Sequence, residues 1–134
     1  MREIKFRGRE YNGPWYAGSL VKKQLTDRLV CMIFTEALVD NKYLVDPETV
    51  GQFTGLRDAD GREIYEGDVV RTDLLPHMRT TVCNGYVEYR NGAFYVEYID
   101  HTYANLGDLI FYSGTSSTVV GNVHDNPELL EHRS

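Results

Sequence analysis

The sequence has few cysteines and no long apolar run. Its two cysteines, Cys31 and Cys83, are too few for a disulfide framework and have no C-x-x-C spacing. We expect both to be small buried apolar side chains. The longest uninterrupted apolar run is LVCMIF, residues 29–34, which is far too short to cross a bilayer. These absences exclude a disulfide-rich scaffold and predict no membrane partner.

The first ten residues lack the apolar stretch of a secretory signal. MREIKFRGRE is charged from the outset, and no apolar segment follows its basic start. We therefore expect a soluble, cytoplasmic protein.

The common catalytic and nucleotide-binding motifs are also missing. The sequence contains no G-x-S-x-G, no P-loop and no G-x-G-x-x-G. Its four histidines are scattered without i, i+4 spacing, which argues against a zinc site. We predict no catalytic residue, no metal and no cofactor. A hydrolase of unknown substrate is an alternative, because folding can bring His101 or His124 to a carboxylate.

What the sequence has in abundance favours strands. Ten tyrosines and five phenylalanines accompany twelve glycines in 134 residues. Aromatic residues suit half-buried pleated surfaces, and short strands need many turns. The length suits one domain or two small lobes. We predict a mainly β fold.

Charge is unevenly distributed along the chain. The net charge of −6 argues against a whole-surface attraction to nucleic acid, yet residues 1–30 hold seven basic and three acidic groups. Lys5, Arg7 and Arg9 form a basic row on one face of a predicted strand. This row could follow a phosphate backbone while the nearby rings of Trp15, Tyr11 and Tyr16 stack on bases, or it could be a solvated face that protects an edge strand. Nucleic-acid binding is therefore an alternative function.

The N-terminal third reads as three strands. REIKFRGRE alternates with period two, and the next segment, residues 15–21, is expected to pair with it as a hairpin. A third strand over residues 29–36 is apolar enough to be buried on both faces. Asp46 is expected to cap a short helical turn that begins at Pro47.

The clearest local signal is a hairpin around Asn91-Gly92. The sequence GYVEYR-NG-AFYVEYI predicts a type I′ turn in which Arg90 faces Ala93. This register places apolar side chains on one face, namely Val87, Tyr89, Phe94, Val96 and Tyr98. It places the polar set on the other face, namely Glu88, Arg90, Tyr95 and Glu97. Agreement between the two strands specifies the register.

The C-terminal region is predicted to contain two further strands and a helix. The strands cover residues 109–112 and 117–123. A short C-terminal helix follows, with Asn126 as its cap and Pro127 at its first position.

Two glycine-marked turns lie within GLRDADGREIYEGDVV, residues 55–70. Asp58–Gly61 and Gly67-Asp68 are the reversals, and the glycines supply positive φ. A small-ligand or partner site would be expected beside them, where donors, acceptors and an aromatic ring meet. Its candidate residues are Gln52, Thr54, Tyr65, Glu66 and Asp68. The competing structural interpretation is that these polar groups bond to the local backbone, with Asp68 in an Asx turn.

Three segments resemble the YopX protein family, which is found in phages, prophages and their bacterial hosts. They are KFRGRE, VDPETVGQFTGLRDADGREIYEGDVV and VVGNVHDNPELL. The middle segment, residues 45–70, is the most specific, and together they span nearly the whole chain.

This resemblance implies a β-rich N-terminal lobe over residues 1–54 and a small SH3-like β-barrel over residues 55–134, with one shared core. It also implies a phage or prophage setting in a bacterial cell, and it supplies no catalytic residues. We therefore expect a non-enzymatic accessory protein that acts as a binding or assembly module, with a protein partner or a second copy of itself.

Overall fold

The structure, a computed structural model, describes residues 3–74, 83–98, 101–111 and 115–131. The described residues form eleven β-strands, one short α-helix and two 3-10 turns. The prediction of a mainly β fold is confirmed. The chain divides into two compact units, residues 1–53 and 54–134.

The first unit is built from antiparallel strands. They are β1 (Phe6–Arg9), β2 (Trp15–Gln24), β3 (Leu29–Phe34), β4 (Lys42–Val45) and the start of β5 (Gly51–Arg57). Their spatial order is β4-β3-β2-β1-β5. Arg9 pairs with Trp15, and Phe6 pairs with Gly18, so the predicted N-terminal hairpin is confirmed.

A 3-10 turn precedes β5. It covers Pro47–Thr49, and the Asp46 carboxylate accepts a hydrogen bond from Glu48 N at 3.1 Å. The predicted cap at Asp46 is confirmed, because this carboxylate satisfies a backbone donor that the short turn leaves unpaired.

The core of the first unit lies on one face of β3. Cys31, Ile33 and Val45 are at most 1% exposed and form its centre. The alternate residues of β3 are only half-buried, namely Val30, Met32 and Phe34. The prediction that both faces of this strand are buried is wrong, because a single antiparallel sheet can cover a core with one face and leave the other open.

The second unit contains the end of β5 and the remaining elements. They are β6 (Glu63–Tyr65), β7 (Asp68–Leu74), β8 (Cys83–Arg90), β9 (Ala93–Tyr98), β10 (Tyr103–Asn105), α1 (Leu106–Phe111) and β11 (Thr115–Asn122). A five-stranded antiparallel sheet has the order β10-β9-β8-β7-β11. Its end strands, β10 and β11, do not pair with each other in the described part of the chain. The sheet is therefore open, and the SH3-like barrel is not confirmed.

The predicted hairpin joins β8 to β9. Arg90 pairs with Ala93. Asn91 and Gly92 have φ angles of 50° and 86°, as a type I′ turn requires. Val87 and Val96 lie opposite each other and are at most 1% exposed. Both the turn and the register are confirmed.

The helix α1 occupies a segment that the sequence predicts to be a strand, residues 109–112. That prediction is wrong for residues 109–111; Tyr112 lies outside the described residues. Three apolar residues of the helix pack on the core of the second unit, namely Leu106, Leu109 and Ile110. Their spacing of three and four residues places them on one helical face. Asn105 Oδ1 also accepts a bond from Asp108 N at 3.1 Å, which satisfies a donor at the helix start.

The C-terminal helix is a single 3-10 turn, Pro127–Leu130, with Pro127 first as predicted. Asn126 occupies the N-cap position as predicted, but its side chain makes no cap bond. The Asn126 Oδ1 atom instead accepts a bond from Asn122 N at 3.3 Å. It therefore fixes the chain before the turn rather than the turn itself.

Candidate functional site

The first glycine turn is organised by the Asp58 carboxylate. Its Oδ1 accepts bonds from Asp60 N at 2.9 Å and Arg62 N at 2.8 Å. Its Oδ2 accepts a bond from Val119 N at 2.9 Å, across 61 positions of sequence. Burial alone would raise the pKa of Asp58, but these three backbone bonds outweigh it and lower the pKa. This aspartate ties the turn to β11.

The second glycine turn is organised by Asp68. Its Oδ2 accepts a bond from Tyr65 N at 2.7 Å, and the residue is only 2% exposed. Between them, Gly67 has a φ of 91°, which favours glycine. Asp68 thus bonds to the local backbone, as the structural interpretation proposes, but the bond runs three residues back and not two residues on as in an Asx turn.

The remaining candidates for the predicted ligand site are placed as follows. Thr54 Oγ1 donates to Ile64 O at 2.8 Å and accepts from Leu56 N at 3.2 Å. Gln52 belongs to the first unit, where it pairs with Phe6 and is half-buried. Glu66 is half-buried beside Tyr65, which is 6% exposed. The polar atoms of Thr54 and Asp68 thus bond to the backbone, as expected of residues that shape turns.

The basic row lies along β1, with Arg7 and Arg9 on one face of the strand and Lys5 immediately before it. Arg7 and Arg9 place their guanidinium carbons 4.8 Å and 5.9 Å from the centre of the Trp15 ring. Lys5 Nζ lies 5.0 Å from the centre of the Phe53 ring and 3.2 Å from a carboxylate oxygen of Glu3. The structure therefore brings all four predicted residues to one face of the first unit, as a set of cation–π contacts.

Tyr16 does not extend this basic face. As the neighbour of Trp15 on a strand, it points to the opposite face of the sheet. There it stacks on Tyr43 with ring centres 3.6 Å apart and packs against the core. The prediction that Tyr16 could stack on a base beside the basic row is therefore wrong, whereas Trp15 does lie beside the arginines.

The first unit has an apolar face, partly half-buried and partly exposed, that was not predicted from the sequence. It comprises Val21 on β2, Val30, Met32 and Phe34 on β3, and Leu44 on β4, and we call it the outer apolar face. Val21, Met32 and Leu44 lie directly opposite one another across the three strands. Val21 is 42% exposed and Leu44 is 53% exposed. The signal was the run LVCMIF, in which apolar residues occupy both faces of one strand.

A second missed feature is a hydrogen-bond network in the second unit, which we call the tyrosine–glutamate network. Glu97 Oε2 accepts a short bond from the Tyr86 hydroxyl. Its Oε1 accepts from the Tyr103 hydroxyl at 3.1 Å and lies 3.3 Å from His101 Nδ1. Arg90 donates to the Tyr103 hydroxyl at 2.6 Å. Side chains from β8, from β10 and from the loop before β10 thus contact one carboxylate, that of Glu97 on β9.

The network shifts the acidity of its members. The bonds from Tyr86, His101 and Tyr103 lower the pKa of Glu97, although burial opposes them. The same bond with Glu97, assisted by burial, raises the pKa of Tyr86. Both shifts have one cause, because the hydroxyl proton stabilises the ionised carboxylate. Glu97 is therefore a fixed negative charge.

A cavity adjoins this network. Its volume is about 240 Å³, and it is lined by Tyr86, Glu97, Tyr98, His101 and Leu130. His101 has a φ of 66°, and its side chain is 86% exposed. A positive φ outside glycine is uncommon and accompanies turns and functional sites.

The histidines of the hydrolase alternative have different surroundings. His101 lies beside the Glu97 carboxylate, whereas His124 is half-buried in the turn after β11, where its backbone N donates to Asn122 Oδ1 at 3.0 Å. Over the described ranges, no group of three or more His, Cys, Asp or Glu is arranged to hold a metal ion. Within the same ranges, no helix is long and apolar enough to span a membrane.

Comparison with known proteins identifies relatives over almost the entire chain. A search of curated proteins gives no match. The crystal structure of protein EF1440 from Enterococcus faecalis is similar, with a TM-score of 0.56 and 22% identity over 98% of this chain and 100% of that one. The crystal structure of protein yopX from Bacillus subtilis is also similar, with a TM-score of 0.58 and 18% identity over the same shares. The family model described as YopX protein matches residues 5–131, and the chain therefore belongs to the YopX family.

Proposed function

We propose that this protein is a non-enzymatic binding or assembly module, an accessory protein in the phage or prophage setting that the family resemblance implies. The observation that supports this proposal is the outer apolar face. Three adjacent strands present apolar side chains there, and Val21 and Leu44 are exposed by 42% and 53%. Contiguous apolar surface of this kind is typical of contact sites, whereas single exposed apolar residues are not.

The charge around this face favours an acidic partner surface. Lys23 and Lys42 lie on the same side of the sheet, because they pair with Val30 and Phe34 of the outer apolar face. A partner that covers the apolar centre therefore meets a basic rim. Complementary charge at an interface sets orientation and association rate more than affinity.

A second copy of the chain offers such an acidic surface. Residues 54–134 contain thirteen acidic and six basic residues, whereas residues 1–53 contain seven acidic and eight basic residues. We therefore propose that the protein self-associates. The outer apolar face of one copy contacts the second unit, residues 54–134, of another copy. Such a contact joins two different surfaces, so it builds rings or open chains rather than a simple two-fold dimer.

Light scattering coupled to gel filtration tests this proposal. The average mass of the wild type is expected to rise from micromolar to millimolar concentration in low salt and to fall in high salt. Val21→Glu should abolish the rise, because it places a charge in the apolar centre. Val39→Glu is the control, since Val39 is also an exposed valine of the first unit, at 77%, but lies outside the outer apolar face. A wild type that stays monomeric throughout, or equal loss in both variants, would overturn the proposal.

A second candidate function is nucleic-acid binding through the basic row. It is supported by the placement of Lys5, Arg7, Arg9 and Trp15 on one face. Binding of fluorescent single-stranded DNA should then weaken steeply with salt and be lost when the three cations become alanine. Alanine at Lys22, Lys23 and Lys42, which lie elsewhere on the unit, removes the same number of charges and is the control for net charge. Absence of binding in low salt would eliminate this candidate.

A further inference from the structure

The cavity beside the tyrosine–glutamate network has the size of a single side chain. Its volume of about 240 Å³ lies below the roughly 300–1,000 Å³ of sites for drug-sized ligands. The described residues that line it all belong to the second unit. Leu130 and the ring of Tyr86 contribute apolar surface to its wall.

The polar wall of the cavity is anionic. Glu97 is held ionised by the donors that surround it, and its side chain is 13% exposed, so a ligand can reach it. An ionised carboxylate has about four positions for hydrogen-bond donors. Tyr86, Tyr103 and His101 use three of them. One position is left for a donor from outside the protein.

The aromatic walls suit a cation. The face of a tyrosine ring attracts an ammonium or guanidinium group, more strongly where water is excluded. The network already contains one such contact, because the Arg90 guanidinium lies 4.0 Å from the centre of the Tyr103 ring and donates to its hydroxyl. The cavity offers the same combination, a tyrosine ring and a carboxylate, and no lysine or arginine is among the described residues that line it.

We propose that this cavity binds a small organic cation, an ammonium or guanidinium group on a short apolar stem. The charged group bonds to Glu97, the ring of Tyr86 flanks it, and the stem contacts Leu130. An arginine or lysine side chain of a polypeptide has this chemistry, and so does a free alkylamine or alkylguanidine.

Titration of the full chain by amide NMR tests the site. The probes are butylguanidinium, its neutral counterpart butanol, and a short neutral-ended peptide with one central arginine. Butylguanidinium is expected to shift the amides of Tyr86, Glu97 and Leu130, whereas butanol should not at the same concentration. Shifts with the peptide as well would assign the site to a polypeptide side chain. Shifts with butylguanidinium alone would assign it to a free small cation.

Two variants distinguish binding at the Glu97 carboxylate from a general attraction of cations to the negatively charged sheet. Glu97→Gln should weaken butylguanidinium binding by at least about tenfold, because it removes the charge that the cation meets. Glu88→Gln is the matched control. Glu88 lies on the same sheet face and pairs with Arg90 at 3.5 Å, but it does not line the cavity. Binding to this control should stay within about twofold of the wild type.

A third variant keeps the test valid if Glu97→Gln is unstable. Glycine readily adopts the φ of 66° found at position 101, so His101→Gly should not strain the backbone. It removes an exposed side chain that contacts Glu97 Oε1. It should bind butylguanidinium at least as tightly as the wild type. The proposal is overturned by equal binding of butanol, by equal losses in Glu97→Gln and Glu88→Gln, by loss in His101→Gly, or by no shift with either cationic probe.

Discussion

Both units contain a three-stranded antiparallel meander, but the outward faces of the two meanders differ in chemical character. In the first, β2, β3 and β4 form an antiparallel meander; in the second, β8, β9 and β10 do the same. Each meander covers a core with one face. The corresponding rows on the outward faces are Val21–Met32–Leu44 in the first unit and Tyr86–Glu97–Tyr103 in the second.

These rows differ in what they can bind. The first row buries apolar area when another surface covers it, so it suits a broad protein contact. The second row fixes a charge by hydrogen bonds, so it suits a small ligand of opposite charge. Backbone geometry alone therefore does not assign a function to either sheet. The side chains that each strand turns away from its core decide what kind of contact is available.

The cores behind the two rows also differ. Three buried residues form the centre of the first, namely Cys31, Ile33 and Val45. Six form the centre of the second, namely Ile64, Val70, Val87, Val96, Leu106 and Val119. The first unit therefore depends on fewer side chains, while it leaves more apolar surface on its outward face.

The largest change in the free energy of unfolding is expected on β3, where the adjacent residues Ile33 and Met32 lie on opposite faces of the strand. Ile33→Ala should lower the free energy of unfolding by about 3 kcal/mol, because it leaves a cavity in the small core. Met32→Ala, on the outer apolar face, should cost less than about 1 kcal/mol. Urea unfolding followed by circular dichroism measures both. An equal loss of unfolding free energy in both variants would mean that the outer apolar face is buried within the chain. The proposed difference between the two outward rows would then be wrong.

A smaller effect is expected at the first glycine turn. Asp58→Ala should lower the free energy of unfolding by about 2 kcal/mol, because the buried N–H of Val119 loses its acceptor. Asp60→Ala, in the same turn but exposed, is the control and should change it by less than about 0.5 kcal/mol. If the two variants unfold alike in urea, Asp58 does not hold the second unit together.

Asp58 also predicts a pH dependence. Its pKa is lower in the folded protein than in the unfolded chain, so its ionised form stabilises the fold above the unfolded pKa. That contribution is lost as pH falls through the folded pKa. The stability difference between wild type and Asp58→Asn should therefore shrink in acid, as measured by thermal unfolding over a range of pH. A difference that is constant from neutral to strongly acidic pH would contradict this linkage.

The smallest effect on stability is expected from a variant that changes the pKa of Glu97. Tyr86→Phe removes the main donor to Glu97, so the pKa of Glu97 should rise toward its ordinary value. Tyr89→Phe is the control, because Tyr89 lies on the opposite face of β8 and is 55% exposed. Carbon-13 NMR titration of the glutamate carboxyl groups measures the change. An unaltered Glu97 would show that the network does not set its charge, which would remove the contrast between the two outward rows.

Local sequence signals predicted part of the fold. The Asn91-Gly92 hairpin, the pairing of β1 with β2 and the two glycine turns all join neighbours in sequence. Their conformations depend on φ preferences and on period-two alternation, both of which are visible in the chain. The polar face of the hairpin, including Glu97, was predicted for the same reason. The helix α1 was not, because a short apolar run of residues is ambiguous between strand and helix.

The candidate sites were less predictable than the fold. The basic row was predicted, because Lys5, Arg7 and Arg9 alternate along one strand. The outer apolar face was read as buried, since an apolar strand does not reveal which of its faces is covered. The tyrosine–glutamate network was missed because Tyr103 comes from β10, a strand that the sequence analysis did not identify, and the carboxylate of Glu97 meets it only after that strand has paired.

By itself, the sequence determined a β-rich chain with tight glycine turns, a hairpin of fixed register and a basic first strand, because these features arise from interactions between residues close in sequence. Tertiary structure alone decided which face of β3 covers a core, that residues 106–111 are helical, and which donors surround Glu97. Those outcomes depend on contacts between distant segments, whose formation is settled by burying apolar surface and pairing polar groups across the whole fold.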